Sequence, residues 1–338
     1  MSIKQYLAPF SKIISQKTLL KWTGRNMIFP YYHTISDADL PYISNIYPLR
    51  SIQEFKSDLE YFCSFFEPVG IEEIHSVLKS KRSSSKPIFH LTFDDGLVEV
   101  YEVIAPILEE KGIPATFFLN TDFIDNKGLF YRYKIGLLLA KLKKEESSEY
   151  VKNARIMLKD YSKWSGSLTS SMMALTYNDQ ELIAALAKIV RFDFEDWLMK
   201  SKPYLNTGQI KDLLKRGFKI GSHSVDHPRF KNIDYDFQKA QIKRSFKYLE
   251  KHFDLKERFF SFPFGDEGVQ KQLFDWMYKE EACGLSFGVS GIKDDYHPFH
   301  LHRIPMDFCQ ENISQFIKSE YFYFMIKSLF NKNRIYRA

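Results

Sequence analysis

Cysteine is scarce in this chain of 338 residues. The three cysteines, Cys63, Cys283 and Cys309, are odd in number, far apart and without a close pair. A disulfide framework needs paired cysteines, and a thiolate zinc site usually needs two of them a few residues apart. The sequence therefore predicts neither feature, and it favours a reducing compartment.

Long apolar runs are also absent. Segment 1–26 has lysines along its length and lacks the uninterrupted apolar core of a secretion signal. The most apolar terminal stretch, 321–330, is far shorter than the roughly 20 residues that span a bilayer, and it contains Lys327. We therefore expect no membrane span and no export. The expected location is cytoplasmic, either free or at the inner face of the membrane.

A strong charge of one sign is the third feature that the chain lacks. Charged residues make up 27% of the sequence, and the formal net charge is +6. This mild basic excess suits an anionic substrate or a membrane surface but falls short of a nucleic-acid signature. The hydrophobic content of 44% allows a large core, in one large domain or two modest ones.

Strand and helix patterns alternate in the first third of the chain. Apolar runs read as strands at 27–33, 87–93 and 115–119, and helical spacing is found at 52–66 and 97–111. The order β, α, β, α, β predicts a parallel sheet or barrel with helices outside.

This alternation stops between 126 and 205, where the apolar spacing is helical and strand signals are weak. The pattern resumes at Thr207 with a short helix and then a strand that leads into His223. We therefore expect one domain over 1–338 that contains a helical insertion at 126–205.

Polar residues follow the predicted strands in three places. They are His33, the pair Asp94 and Asp95, and the pair His223 and His227. In a parallel β/α architecture, strand ends and the loops after them face the active site. Taken singly, each group has a structural explanation, since an aspartate pair before a glycine can cap a helix. Together, a carboxylate and two imidazoles supply three ligands for a divalent metal with an open position for water or substrate.

Four segments resemble the polysaccharide deacetylases, carbohydrate esterase family four. They are LTFDDG, ATFFLN, GSHSVDH and SFPFG, in the family's order and approximate spacing. The resemblance extends from His33 to about Met306 apart from the helical insertion. YYHTIS and EPVGIEEI are similar to the branch of the family found among surface-polysaccharide biosynthesis proteins.

This resemblance implies a distorted parallel (β/α) barrel that uses one divalent metal, most commonly zinc, to remove N-acetyl groups from an amino sugar. The substrate would be a polysaccharide, a lipid-linked saccharide or a glycan precursor. By position, Asp94 matches the family's catalytic base, and Asp95, His223 and His227 match its metal ligands. The two adjacent carboxylates would then divide two tasks, since one holds the metal while the other takes a proton from water.

Two departures from the family pattern leave roles open. Ser261 stands where the family usually carries an arginine that steadies the catalytic carboxylate. Arg303 is a candidate replacement, although it could equally pair with Asp307. The acid that protonates the leaving amine is also open, and the candidates are His302, His300 and His33. On an extended strand, His302 and Arg303 cannot both point into the site without a bend.

Two other functions are compatible with the same residues, and a third fits them poorly. A deformylase of a lipid-linked amino sugar would use the same motif residues. A non-catalytic glycan-binding protein on the same fold would explain the Ser261 departure. A glycosidase needs two carboxylates roughly 5 to 10 Å apart across the glycosidic bond, which adjacent aspartates do not provide. We expect a sugar or glycan partner and no nucleic acid.

The C-terminal tail, 320–338, mixes aromatic residues with Lys327, Lys332, Arg334 and Arg337. Such a segment could lie on an anionic membrane surface near lipid-linked substrates. A terminal helix packed on the barrel is the other interpretation of the same pattern.

Overall fold

A computed structural model of the chain describes residues 14–80, 86–144, 148–310 and 312–337. Residues 1–13 of the N-terminal segment and residue 338 of the predicted tail lie outside these ranges. The strands are β1 Met27–Ile28, β2 Pro30–Tyr32, β3 Glu67–Pro68, β4 Ile88–Phe89, β5 Leu91–Phe93, β6 Ala115–Leu119, β7 Lys219–Ser222, β8 Phe259–Ser261, β9 Leu285–Gly288, β10 Asp294–Asp295, β11 His300–His302, β12 Ile304–Pro305 and β13 Arg334–Ile335.

Helices connect these strands. They are α1 Gln16–Thr23, α2 Ile52–Phe65, α3 Ile71–Ser80, α4 Ala105–Glu110, α5 Tyr131–Lys144, α6 Glu149–Asp160, α7 Leu168–Met173, α8 Gln180–Ile189, α9 Phe194–Ser201, α10 Thr207–Lys215, α11 Tyr235–Phe253, α12 Lys271–Lys279 and α13 Ile313–Leu329. Within the described ranges, no helix is both long enough and apolar enough to cross a membrane.

One parallel sheet of eight strands forms the centre of the fold. Its order is β11-β9-β8-β7-β6-β5-β2-β12, so its two outermost strands belong to the same short segment, 300–305. Only Arg303 separates β11 from β12. Its backbone N–H donates to the Gly288 carbonyl in β9 at 3.0 Å, and the next N–H, of Ile304, donates to the Phe29 carbonyl at 2.9 Å. The sheet therefore closes almost completely at Arg303, and the predicted distorted parallel barrel is confirmed.

The first two predicted strands each divide between two sheets. The run 27–33 forms β1 and β2, and the run 87–93 forms β4 and β5. The first halves pair in a small parallel sheet of order β1-β4-β3, and the second halves pair inside the barrel. The apolar runs are continuous because both halves are buried.

The helix predicted at 97–111 is shorter in the structure. Regular α-helix begins at Ala105, after a wider helical turn at Val100–Ile104. The residues before it pair with another segment, since Leu97 forms a bridge with Tyr204 and the Val98 N–H donates to the Pro203 carbonyl at 2.8 Å. These tertiary hydrogen bonds compete with helix formation at the start of the predicted helix.

The largest apolar cluster joins the barrel strands to the helices around them. Phe93 and Phe117 come from β5 and β6, and Phe55, Leu213 and Ile317 come from α2, α10 and α13. All five are fully buried. Burying one such side chain stabilises the fold by about 2 kcal/mol relative to leaving it in water, so this cluster anchors the strands that carry the site.

Helices α5 to α9 lie between β6 and α10 in the chain and have an apolar cluster of their own. Leu138, Leu158 and Leu186 are fully buried there. The division of the chain into one domain with an insertion at 126–205 and a tail at 320–338 stays a prediction.

Candidate metal centre and active site

A tight turn after β5 presents the two adjacent aspartates. The Asp94 N–H donates to the Tyr32 carbonyl at 3.0 Å, which extends the strand by one residue. Asp95 and Gly96 then have φ angles of 71° and 67°, in the left-handed region. A Cβ at Gly96 would also lie 2.8 Å from the Leu119 side chain, so only glycine suits this position. The turn directs the two carboxylates to different partners.

The two histidines come from the loop after β7. His223 follows the strand directly, and His227 has a φ of 66°, with its N–H donating to the Ser224 hydroxyl at 3.1 Å. Nε2 of His223 lies 3.5 Å from Asp95 Oδ1, and Nε2 of His227 lies 3.3 Å from the same oxygen. All three side chains are buried, and their ligand atoms lie within 4.8 Å of one another.

This donor set fits a divalent metal ion. Asp95 Oδ1 is buried and has no hydrogen-bond partner within the described part of the chain. His223 donates from Nδ1 to the Ser261 carbonyl at 2.8 Å, which leaves the lone pair of Nε2 facing Asp95.

Burial lowers the pKa of His223 to about 4, so its imidazole is neutral. Burial opposes ionisation of Asp95, yet the neighbouring His227 holds the pKa of that carboxyl below its usual range. An ionised carboxylate and a neutral imidazole are the forms that bind zinc.

Asp94 faces Arg303 instead of the histidines. Nη1 of Arg303 donates to Asp94 Oδ1 at 2.8 Å, and Nη2 donates to Asp94 Oδ2 at 2.7 Å. The Ser261 hydroxyl accepts from Arg303 Nη2 at 2.7 Å and donates to Asp94 Oδ2 at 3.2 Å. Burial alone would raise the pKa of Asp94, but the guanidinium of Arg303 brings it below its ordinary value. Asp307, the other partner considered for Arg303, is hydrogen-bonded to His33.

His33 lies at the end of β2 beside the same site. Its Nδ1 is 2.6 Å from Asp307 Oδ2, and its ring centroid lies 4.9 Å from that of Tyr47. Burial alone would lower the pKa of His33, but the charge and hydrogen bond of Asp307 raise it to about 9. The charges of Asp95 and Asp94 act in the same direction. At neutral pH, His33 is therefore an imidazolium with Nδ1 engaged and Nε2 left to donate.

His302 lies outside this group of residues. Strand β11 places it on the face opposite Arg303, together with His300, as side chains alternate along an extended strand. Nε2 of His302 contacts Asp295 Oδ2 at 3.1 Å, and Nε2 of His300 lies 3.2 Å from Asp266 Oδ2. No contact joins His302 to the candidate metal ligands within the described residues. The sequence predicts a catalytic role for His302, but the structure places this side chain in a second buried cluster, away from the candidate metal ligands.

A guanidinium occupies that second cluster. Arg337 Nη2 donates to Asp266 Oδ2 and lies 2.6 Å from Asp295 Oδ2. Its side chain is 3% exposed. The positive charge pairs with both carboxylates, so we interpret this cluster as an ion-pair network that attaches the C-terminal strand β13 to the barrel.

Sequence reasoning missed two residues of the site, Tyr133 and Phe130. The hydroxyl of Tyr133, on α5, donates to Asp95 Oδ2 at 2.5 Å. The ring of Phe130, just before the same helix, lies 4.2 Å from that of His227, and Phe264 lies 4.7 Å from it on another side. No spacing or motif signals the contacts of Tyr133 and Phe130, because they depend on how the 126–205 helices pack against the barrel. Phe264, in contrast, belongs to the SFPFG segment.

Comparison with known proteins agrees with this architecture. The family model for polysaccharide deacetylase matches residues 81–276. No protein with a curated description matches the chain significantly.

Solved structures share the fold at low sequence identity. The deacetylase PplD of Streptococcus pyogenes, solved in complex with acetate, is 16% identical, with a TM-score of 0.54 over 82% of this chain and 91% of that one. IcaB from Ammonifex degensii is 16% identical, with a TM-score of 0.52 over 87% and 96%. A de-N-acetylase from Aggregatibacter actinomycetemcomitans is 14% identical, with a TM-score of 0.54 over 86% and 99%.

Proposed function

Because this chain belongs to the polysaccharide deacetylase family, we propose that it hydrolyses the N-acetyl group of an amino sugar, releasing acetate and a free amine. One observation carries the proposal. An ionised Asp94, held by Arg303, stands beside a buried group of Asp95, His223 and His227 that has the composition of a metal site. The descriptions of two structural neighbours as a deacetylase with acetate and a de-N-acetylase support the same reaction.

Asp95, His223 and His227 would hold the metal, and zinc suits two imidazole nitrogens and one carboxylate oxygen. When bound, the metal would polarise the acetamide carbonyl and lower the pKa of a coordinated water. The hydrogen bond from Tyr133 orients the second oxygen of Asp95, which leaves its Oδ1 for the metal.

Asp94 is proposed as the general base. Its two oxygens are fixed by the fork of Arg303, and Nε2 of His223 lies 3.9 Å from Oδ2, so the carboxylate borders the metal site without belonging to it. Arg303 keeps Asp94 ionised at neutral pH, and the carboxylate can therefore accept the proton of the attacking water.

His33 is proposed as the general acid. The charges of both Asp94 and Asp95 raise the pKa of His33, in keeping with its position beside them. Asp307 keeps it protonated and fixes the ring through Nδ1, so Nε2 can donate to the nitrogen of the sugar as the C–N bond breaks. The water oxygen joins the acetyl carbon, Asp94 takes the water proton, and His33 supplies the proton of the leaving amine.

The substrate would be a polysaccharide, a lipid-linked saccharide or a glycan precursor, consistent with the surface-polysaccharide branch of the family. The test is to measure metal content and acetate release from acetylated amino-sugar oligomers with the purified chain. We expect zinc to be present, Asp94→Asn to abolish turnover but keep the metal, and His223→Ala to lose the metal. His252→Gln, an exposed histidine on α11, is the control.

Other outcomes of this experiment have distinct meanings. Formate release from a formylated sugar, without acetate release, would identify a deformylase that uses the same residues. A zinc-loaded chain that releases neither acid would favour a non-catalytic glycan-binding role. A chain without metal would overturn the proposed site itself.

We also propose peripheral membrane contact through the tail. Leu329, Phe330 and Tyr336 are 81%, 67% and 72% exposed, and Lys332 is exposed near them. Aromatic and basic side chains of this kind bind anionic lipid surfaces. Replacing Leu329 and Phe330 with serine should weaken binding to vesicles that contain anionic lipid, and equal binding would overturn the idea.

A further inference from the structure

A basic cleft lies beside the loop that carries His227. The cleft has a volume of about 230 Å³, and it is lined by residues from α5, from the segment before α8 and from the loop after β7. Among the described residues that line the cleft, three are basic and no residue is acidic. The basic residues are Arg132, Arg229 and Lys231.

The two arginines lack carboxylate partners within the described residues. The guanidinium of Arg229 lies 4.9 Å from the ring centroid of Phe264 and makes no hydrogen bond to any described residue. Arg132 donates to the Met173 carbonyl at 2.5 Å, and its guanidinium lies 5.8 Å from the same Phe264 ring. Both arginines are half-buried. Two like charges beside one ring repel each other, and an anion bound between them would offset this repulsion.

The carboxylates near the cleft are engaged elsewhere. Asp179 lies 2.9 Å from the ammonium of Lys163. Asp226 accepts from the Tyr177 hydroxyl at 2.5 Å and from the Gln241 amide at 2.7 Å. Lys231 has a carboxylate partner, Glu267, at 3.2 Å, and both of these side chains are exposed. Within the described residues, no carboxylate therefore contacts either arginine of the cleft.

Phe264 connects the cleft to the candidate metal ligands. One side of its ring lies 4.7 Å from the His227 ring, and the Arg229 guanidinium lies 4.9 Å from its centroid. Arg229 is also only two residues after His227 in the same loop. The arginines thus lie one aromatic ring away from the metal ligand His227.

We propose that this cleft binds an anionic group of the substrate, a phosphate or a carboxylate, next to the amino sugar that is deacetylated. The inference rests on the proposed function and narrows its substrate to negatively charged amino-sugar conjugates. A guanidinium offers paired N–H donors that match the oxygens of phosphate and carboxylate, and no described residue accepts a hydrogen bond from Arg229.

The test compares kcat/KM of the full chain, loaded with zinc, on three probes. The first is a neutral N-acetylglucosamine oligomer. The second is N-acetylglucosamine linked to a nucleoside diphosphate. The third is an oligomer in which N-acetylglucosamine alternates with glucuronate. We expect at least about a tenfold preference for one anionic probe over the neutral one, expressed mainly as a lower KM. The second and third probes distinguish phosphate from carboxylate as the recognised group.

Variants connect the preference to the cleft. Arg229→Gln should bring the ratio of anionic to neutral kcat/KM close to one, and Arg229→Lys should keep part of it because the charge remains. Arg216→Gln, directly after α10 and outside the cleft, is the control and should keep the full ratio. Raised salt should reduce the preference, because the cleft is partly open to solvent.

The failures of the two proposals are distinguishable. Equal turnover of neutral and anionic probes would overturn the cleft while leaving the deacetylase function in place. If no probe is hydrolysed, the deacetylase proposal fails. Anion binding by the cleft is then tested by calorimetry with the nucleoside diphosphate sugar. Binding that is equally weak for the unmodified chain and Arg229→Gln would then overturn the cleft as well.

Discussion

Arg303 forms a two-pronged ion pair with Asp94, with N···O distances of 2.8 and 2.7 Å, from the residue at which the barrel closes. Its backbone lies between β11 and β12, and its side chain is fully buried. The same residue therefore joins the two edges of the sheet and sets the ionisation of the proposed base. Its backbone takes part in closing the barrel, and its side chain prepares the site.

Arg303→Ala should lower both stability and activity. It leaves the Asp94 carboxylate buried without a counterion, a change that typically costs about 3–5 kcal/mol. The pKa of Asp94 should rise, because burial raises it and Arg303 is the main group that lowers it. The acidic limb of the pH profile of kcat/KM should therefore move to higher pH.

Arg303→Lys is the comparison variant, since it keeps a positive charge but loses the two parallel N–H donors of the guanidinium. It should retain more stability than Arg303→Ala in thermal unfolding and show a smaller shift of the acidic limb. An unchanged acidic limb in both variants would show that Asp94 does not limit the reaction at low pH.

Asp307→Asn should lower the pKa of His33 from about 9 towards its ordinary value, because Asp307 is the main group that raises it. A folded pKa above the unfolded one stabilises the protein fully below about pH 6.5, and this contribution is lost as the pH rises through about 9. NMR titration of the metal-free protein measures the pKa directly, with the ring of His252 as the internal control. A His33 pKa near 6.5 in the unmodified chain would contradict the ion pair.

Tyr133→Phe should weaken zinc binding about 10-fold to 100-fold, as is typical when a partner of a metal ligand is removed. The substitution takes away the hydroxyl that donates to Asp95 Oδ2 and leaves that oxygen without its donor. Competition with a chelator measures the affinity. Tyr61→Phe, whose hydroxyl contacts Gln16 instead, is the control, and an unchanged zinc affinity in Tyr133→Phe would contradict the proposed role.

Arg337→Ala should destabilise the chain at neutral pH by about 3–5 kcal/mol, because it leaves Asp266 and Asp295 buried without their counterion. The pKa of each carboxyl is held low in the folded protein, so this stabilisation is present above about pH 4 and is lost as the pH falls further. The deficit should therefore shrink in acid. Denaturant unfolding at pH 7 and pH 2.5 measures it, with Arg334→Ala, exposed on β13 shortly before Arg337, as the control. Equal stability of Arg337→Ala and the unmodified chain would contradict the ion-pair interpretation.

The sequence was sufficient for the barrel and for the residues at its rim. Alternating strand and helix patterns predict a parallel sheet, and parallel strands end at one rim. Asp94, Asp95, His223 and His227 each follow a predicted strand, so their proximity could be inferred without coordinates. The division of the apolar runs between two sheets could not be inferred, because both halves are equally apolar.

By itself, the sequence determined the fold class and the residues that could form a metal site, since both depend on local pattern and strand order. Tertiary structure decided which partners these residues have. Arg303 reaches Asp94 because the sheet closes at that residue, and His302 faces away because side chains alternate along β11. Tyr133 reaches Asp95 from a helix 38 residues further along the chain, and only packing brings such distant residues together.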